Sequence, residues 1–406
     1  MESAKYVVLG GGMVAGYLAK EYVEKGGASG DLTLLSSDDA LPYERPPLSK
    51  GLLTGKEQES NVFINPAEFY RQHGFDVRLN TTVSDVDFAS KRLTLAGGES
   101  LGYEKLVIAT GAQPNRLGVE GADLDGVLYL RSLSDSRRIQ EVASTAKRAV
   151  IIGGGFIAME TASSLRQRGL DVTMVIREER IWKTFFTEEM SESFRRYYEQ
   201  KGVRLIFGTG IARFDGQGTV KAALLGNRDR VDCDMVVAGI GVAPVTNVFR
   251  GIVLGNGVHV NAHLETSAPG ALAAGDVANY EDVLFKKQRR VEHWDNAVSQ
   301  GQHVAHTLLG ERKPFVHVPY FFSDIFDLSY EYWGDTTGAI QTIYRGDVSS
   351  TSFSAWWLDE TNRVIAAFVM GRPDEEREAA PQWIEKKQVV SPERLGDSAR
   401  PIGEAI

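Results

Sequence analysis

Two stretches decide the architecture: Lys5-Tyr6-Val7-Val8-Leu9-Gly10-Gly11-Gly12-Met13-Val14-Ala15, and its echo Arg148-Ala149-Val150-Ile151-Ile152-Gly153-Gly154-Gly155-Phe156-Ile157-Ala158. In each, an apolar run ends on three glycines and a helical pattern follows, Ala15–Glu24 in the first and Ala158–Arg168 in the second. An apolar run of four or five residues without polar alternation reads as a strand buried on both faces. Each copy continues into a second strand, Leu32–Leu35 and Val172–Ile176, and ends in an acid, Asp38 and Glu178. The chain therefore repeats one strand–helix–strand unit. Three more runs end the same way: Leu106–Ala109 before Thr110-Gly111, Val236–Ala238 before Gly239-Ile240-Gly241, and Leu272–Ala274 before Gly275-Asp276. Strands alternating with helices imply doubly wound parallel sheets and an α/β fold.

The spacing within the repeats carries chemistry. Gly10-x-Gly12-x-x-Ala15 and Gly153-x-Gly155-x-x-Ala158 fit the dinucleotide fingerprint. The first glycine makes the tight turn, and the second lets the backbone approach a pyrophosphate. The small third residue lets helix and strand pack closely. The phosphates then sit on free N–H groups at the positive end of the helix dipole. Asp38 and Glu178 follow the second glycines by 26 and 23 residues, where an acid can accept hydrogen bonds from a ribose diol. Two sites suggest one dinucleotide held tightly and one exchanging, naturally FAD and a nicotinamide. Glu178 favours NADH, because a carboxylate repels a 2′-phosphate. Arg177 and Arg180 beside it leave NADPH open.

Composition narrows the classes. The chain has 406 residues, 43% apolar and 24% charged, which suits two to four globular domains. Its 42 glycines are about one residue in ten, above the usual share. A net charge of −9 argues against bulk nucleic-acid binding. The longest apolar stretch, near Met235–Val245, is interrupted by Gly239, Gly241 and Pro244 and is too short for a bilayer. The N-terminus opens on a strand pattern, so no signal peptide and a cytoplasmic protein are expected. Cys233 is the only cysteine, which excludes an intrachain disulfide, a Cys-x-x-Cys redox pair and a multi-Cys metal site. No cysteine cluster accompanies the seven histidines, and no metal is expected.

On Pro42-Tyr43-Glu44-Arg45-Pro46-Pro47-Leu48-Ser49-Lys50, Ala109-Thr110-Gly111, Gly153–Glu160, Ala274-Gly275-Asp276 and Arg290-Val291-Glu292-His293-Trp294-Asp295-Asn296-Ala297, the chain resembles the two-dinucleotide flavoprotein reductases. Its nearest branch holds the ferredoxin and rubredoxin reductases, the apoptosis-inducing-factor-like flavoproteins and monodehydroascorbate reductase. The resemblance covers nearly the whole chain. It implies two Rossmann-like, glutathione-reductase-like domains and a small C-terminal α+β domain. The FAD domain would be split into 1–113 and 246–317, the NAD(H) domain would span 114–245, and residues 318–406 would close over the flavin. It assigns Asp38 to the adenosine ribose, Asp276 to the ribityl chain, and Arg45 and Lys50 to the pyrophosphate and isoalloxazine. Val83 and Thr110 would contact the adenine and pyrophosphate region, and Arg131 would lie near the FAD. Glu292, His293 and Trp294 would border the flavin pyrimidine at a helix start. Glu160 would face the nicotinamide and pair with Lys50 beside flavin N5. Ala109, Gly111, Ile157 and Gly241 complete the cofactor-binding set.

A chain without a cysteine pair must release electrons from the flavin itself. The resemblance thus implies an oxidoreductase that takes hydride from NADH onto FAD and passes single electrons on. Two acceptors compete. Trp182 to Phe186-Thr187, Pro319-Tyr320-Phe321, Phe326-Asp327-Leu328-Ser329 and Pro373–Arg377 resemble monodehydroascorbate reductase, implying a small radical. At Ser323-Asp324 that family is expected to carry Arg after the serine, whereas Asp324 would repel an ascorbate-like anion. The other acceptor is an iron–sulfur protein such as a ferredoxin, for which Lys286-Lys287-Gln288-Arg289-Arg290 would supply positive charge near the flavin edge. A third reading is a redox-responsive flavoprotein acting through binding, with Phe353, Trp356 and Trp357 either a partner surface or core. No nucleic-acid or membrane partner is expected.

Overall fold

The computed structural model describes residues 2–183 and 185–406; Met1 and, within the Trp182–Thr187 stretch, Thr184 lie outside the described residues. The chain forms two compact units. The first comprises Met1–Arg45, Glu59–Gln113 and Ala243–Pro319, and the second Pro46–Gln58, Pro114–Val242 and Tyr320–Ile406.

In the first unit, the strand Glu2–Leu9 lies parallel between Leu32–Leu35 and Ser100–Ile108. Asp76–Arg78 extends the sheet on one side and Ala271–Ala273 pairs parallel with Ser100–Ile108. Val8 sits opposite Leu34 and Val107, and all three are fully buried. All four residues of Leu32–Leu35 are buried, as a strand covered on both faces requires. Each of its three leucines contributes about 1.5–3 kcal/mol on burial. The helix Met13–Glu24 packs against the helix Trp294–Leu308. A side chain at Gly301 would press on the Val14 carbonyl oxygen, so the two backbones touch only because that residue is glycine.

The second unit repeats the design. Its parallel sheet runs Arg204–Phe207, Asp171–Ile176, Arg148–Ile152, Met235–Ala238, Val127–Tyr129. The helix Phe156–Gln167 buries Ala158 through Leu165 without interruption. A three-stranded antiparallel sheet, Ile211–Gln217, Thr219–Leu225 and Arg230–Asp232, packs with the Cys233 region. The C-terminal part is a five-stranded antiparallel sheet in the order Tyr320–Ile325, Leu328–Gly334, Val364–Met370, Phe353–Leu358, Gln341–Gly346, with the helix Asp374–Glu385 beside it. Phe353, Trp356 and Trp357 are core of this sheet, at most 4% exposed, which removes them as a partner surface. The two fingerprint helices begin at Met13 and Phe156, two residues before the expected Ala15 and Ala158. The glycine backbone already turns into the helix there. No helix among the described residues is long and apolar enough to cross a membrane.

Candidate active site

The glycine cradle of the first unit is built by backbone alone. Gly10 has φ +128°, and a side chain there would collide with the Ala109 carbonyl. Its N–H donates to Leu35 O (2.8 Å), tying the turn to the neighbouring strand. Gly12 is different: its φ is −87°, it caps the helix without a side-chain bond, and the first helical turn carries no acid. A Cβ on Gly12 would point into open space, with only Arg45 Nη2 near, at 3.7 Å. This is a cradle that any side chain would fill, with N–H groups and the helix dipole aimed into it, and it fits a pyrophosphate. Ala15 is fully buried where the helix meets the sheet. Asp38 stands after the second strand, where its carboxylate accepts from Tyr43 Oη (2.7 Å) and Asp39 N (2.9 Å).

Other residues of this unit gather at strand ends. Ala109 and Val83 are buried, while Thr110 and Gly111 are half-buried. Thr110 Oγ1 donates to Val245 O (2.7 Å). Gly275, at φ +78°, donates its N–H to Gln300 Oε1 (2.7 Å) and leaves Asp276 partly exposed in a short helical turn. His293 caps the helix Trp294–Leu308. Burial pushes the His293 imidazole down to about 4, against the opposing pull of Asp276, so it is neutral at neutral pH. Trp294 Nε1 donates to Glu44 (2.5 Å), which also accepts from Tyr17 Oη. Glu44 was quoted in the sequence without a role; only the fold shows it joining two helices.

The basic stretch at 286–290 is less basic than its sequence. Arg289 pairs with buried Asp282 at 3.4 Å, and Arg290 pairs with Glu292. Two of its four cations are therefore neutralised locally, which corrects the expected positive patch. Both acids lie close in the chain, Glu292 two residues after Arg290 and Asp282 across a hairpin from Arg289, but a charge run read alone does not show which cations pair.

In the second unit the cradle recurs. Gly153 has φ +113° and faces the Gly239 carbonyl, and its N–H donates to Val175 O (2.9 Å). Nothing lies within 4 Å of a Cβ built on Gly155. This second open cradle also fits a pyrophosphate, and Ile157 beside it is 42% exposed. Glu178 is partly exposed beside Arg177 (3.4 Å). Arg180 is turned away and consumed, donating to Phe186 O (2.6 Å), Lys183 O (3.2 Å) and Ser191 Oγ (2.8 Å). That leaves Arg177 as the neighbouring guanidinium of the pair named from sequence. Gly241 is exposed, with its carbonyl accepting from Asn115 N (3.0 Å). Arg131 precedes the helix Leu133–Ala143, its N–H donating to Asp135 (3.0 Å).

The second unit also brings Lys50 and Glu160 together. Glu160 is 5% exposed on the helix Phe156–Gln167. Its Oε2 accepts from Ser49 Oγ at 2.5 Å. Its Oε1 accepts from Ser323 Oγ at 2.6 Å and lies 3.3 Å from Lys50 Nζ. Three donors thus compensate one buried carboxylate. The ammonium also lies 3.7 Å from Asp324, which is half-exposed, and 4.2 Å from the Phe322 ring centre. Ser164 Oγ donates to Ser49 O (2.6 Å) and Ser136 Oγ to Leu48 O (2.9 Å), fixing the Leu48-Ser49-Lys50 backbone. The two serine clamps, Ser49 and Ser323, were not predicted as site residues. Ser49 sits inside a quoted motif, but serine at a chain position gives no sign of its partner. Cys233 is fully buried, and burial pushes its thiol up to about 12, so it is an inert packing residue. Among the described residues no group of three or more His, Cys, Asp or Glu could hold a metal.

Comparison with known proteins agrees with this geometry. Residues 4–301 match the family described as pyridine nucleotide-disulphide oxidoreductase, and residues 320–406 match the reductase C-terminal family. A peroxisomal monodehydroascorbate reductase of Arabidopsis thaliana is 35% identical over 95% of this chain and 83% of its own. A monodehydroascorbate reductase of Solanum lycopersicum is 34% identical over 93% of this chain and 94% of its own. Among solved structures, a ferredoxin reductase from Rhodopseudomonas palustris matches with a TM-score of 0.93 at 30% identity, covering 100% of both chains. Putidaredoxin reductase, in a covalent complex with putidaredoxin, matches at 0.93 and 28% identity, over 100% of this chain and 98% of that one.

Proposed function

The chain belongs to the pyridine nucleotide-disulphide oxidoreductase family of FAD enzymes that use NAD(P)H, and from that premise we propose that it transfers hydride from NADH to FAD and delivers single electrons to an iron–sulfur protein. The observation that carries this reading is the pair of open glycine cradles in a chain with no second cysteine. Bound FAD supplies a carrier that accepts two electrons together and releases them one at a time. The chain supplies binding and electrostatics. Gly10, Gly12, Ala15, Arg45 and Asp38 hold the flavin dinucleotide, with Val83, Ala109, Thr110, Gly111, Gly275 and Asp276 lining it, Glu292, His293 and Trp294 beside its ring, and Arg131 near the FAD. Gly153, Gly155, Ile157, Gly241 and Glu178 hold the nicotinamide. Engagement of Arg180 away from Glu178 supports NADH over NADPH. Lys50, held by Glu160, is the cation this reading assigns to flavin N5. The domain bounds of the sequence reading and a cytoplasmic setting belong to this proposal, the latter supported by the single cysteine.

Asp324 favours the iron–sulfur acceptor, because a carboxylate 3.7 Å from Lys50 cancels charge that an anionic radical would need. The 35% identity to monodehydroascorbate reductases favours the radical as a second reading. Stopped-flow reduction by NADH, followed by turnover with a ferredoxin, monodehydroascorbate radical or oxygen, tests both. Lys50→Ala should slow flavin reduction on the order of a hundredfold. An unchanged rate rejects that role, and faster turnover with the radical than with ferredoxin selects the second reading.

A further inference from the structure

We propose that Ser323 is a positioning residue that fixes the Glu160 carboxylate as the partner of Lys50. Residues alternate along the strand Tyr320–Ile325: Phe321, Ser323 and Ile325 are buried, while Phe322 is half-buried and Asp324 exposed. Ser323 is fully buried and donates to the same oxygen of Glu160 that faces the ammonium. Its two chain neighbours also approach that ammonium, Phe322 through its ring and Asp324 through its carboxylate. One strand therefore offers Lys50 a competing acid and at the same time holds the acid that should win.

The strand is placed with care for this. Ser323 lies opposite Tyr330 in the antiparallel pair. At the hairpin, Phe326 N donates to Ser163 Oγ at 2.7 Å, and Ser163 lies one turn from Glu160 on the same helix. Ser49 holds the other oxygen of Glu160 from a separate segment. Without the Ser323 hydroxyl, Oε1 keeps Lys50 alone, and Asp324 draws that ammonium away. The titratable groups around Glu160 are Lys50, which also meets Asp324 on the Ser323 strand, Tyr198 on the helix Glu188–Gln200, and Tyr330 on the next strand. Burial holds both tyrosine hydroxyls far above their ordinary range, so they stay neutral and the balance is between Lys50 and Asp324.

The kinetic arm rests on the proposed hydride transfer, and the spectroscopic arm does not. The holoenzyme is titrated with acid by infrared spectroscopy, and the Glu160 carbonyl band is isolated as the difference from a Glu160→Gln holoenzyme taken through the same titration. In Ser323→Ala this band should appear about one pH unit higher than in wild type, a tenfold change in proton affinity. It should be missing in Ser323→Ala/Glu160→Gln. The acid limb of the stopped-flow reduction rate should move by the same amount, and Ser323→Thr should restore both. If Ser323→Ala fails to hold FAD, Ser323→Cys, with its weaker donor, should show the same shift at smaller size. Superimposable infrared titrations, or no recovery in a folded Ser323→Thr, overturn the proposal. A Lys50→Ala enzyme reduced at the wild-type rate instead rejects the role given to Lys50 in hydride transfer and leaves the infrared result standing.

Discussion

Gly153 and Gly155 differ in what a methyl group would meet. At Gly153 it would strike the Gly239 carbonyl, and the residue already sits at φ +113°. At Gly155 it would meet nothing within 4 Å, at φ −89°. Gly153→Ala should therefore lower stability by at least about 2 kcal/mol, from strain and collision together. Gly155→Ala should leave stability within about 0.5 kcal/mol of wild type. It should raise KM for NADH by about an order of magnitude, since the pyrophosphate loses its close approach. Thermal melts and steady-state kinetics on the two variants check this. A Gly155→Ala enzyme with unchanged KM would mean that the dinucleotide lies elsewhere.

At the scale of elements, the C-terminal sheet and the tail are fastened by one buried cation. Arg345 on the strand Gln341–Gly346 is 2% exposed and donates to Glu376 (3.1 Å) on the helix Asp374–Glu385. It also donates to the carbonyls of Leu395, Asp397 and Arg400, at 2.7, 3.0 and 2.8 Å. Glu376 additionally accepts from Arg372 (2.8 Å) and Ser354 (2.5 Å). Breaking such a pair leaves an uncompensated buried charge, so Glu376→Ala should cost about 3–5 kcal/mol. Arg345→Met leaves Glu376 and the three tail carbonyls without their donor and should cost at least as much. Denaturant titrations of the three proteins decide it, and a single-variant loss under about 1 kcal/mol would show that the tail is held by other contacts. The same packing places Ser323, since the strand that carries it belongs to this sheet.

For the whole molecule, the route of electrons follows from one buried thiol. With Cys233 fully buried and its thiol pushed up to about 12, an alkylating reagent should neither label nor inhibit the native holoenzyme near neutral pH. Labelling should appear only on unfolding, as mass spectrometry would show; loss of activity in proportion to native labelling would place the cysteine in the electron path. The sequence alone determined the α/β fold, the two cradles with Asp38 and Glu178, and the exclusion of a dithiol route. Those features are local: a strand, a glycine turn and a helix start within about a dozen residues, governed by backbone conformation and periodicity. The tertiary structure alone decided which charges remain available. It took Arg180 away from Glu178, neutralised Arg289 and Arg290, buried Trp356 and Trp357, and brought Ser49 and Ser323 to Glu160 across 111 and 163 residues of chain. Side-chain partners so far apart in sequence are chosen by packing and by the cost of leaving a buried polar group unpaired, and neither leaves a periodic mark on the chain.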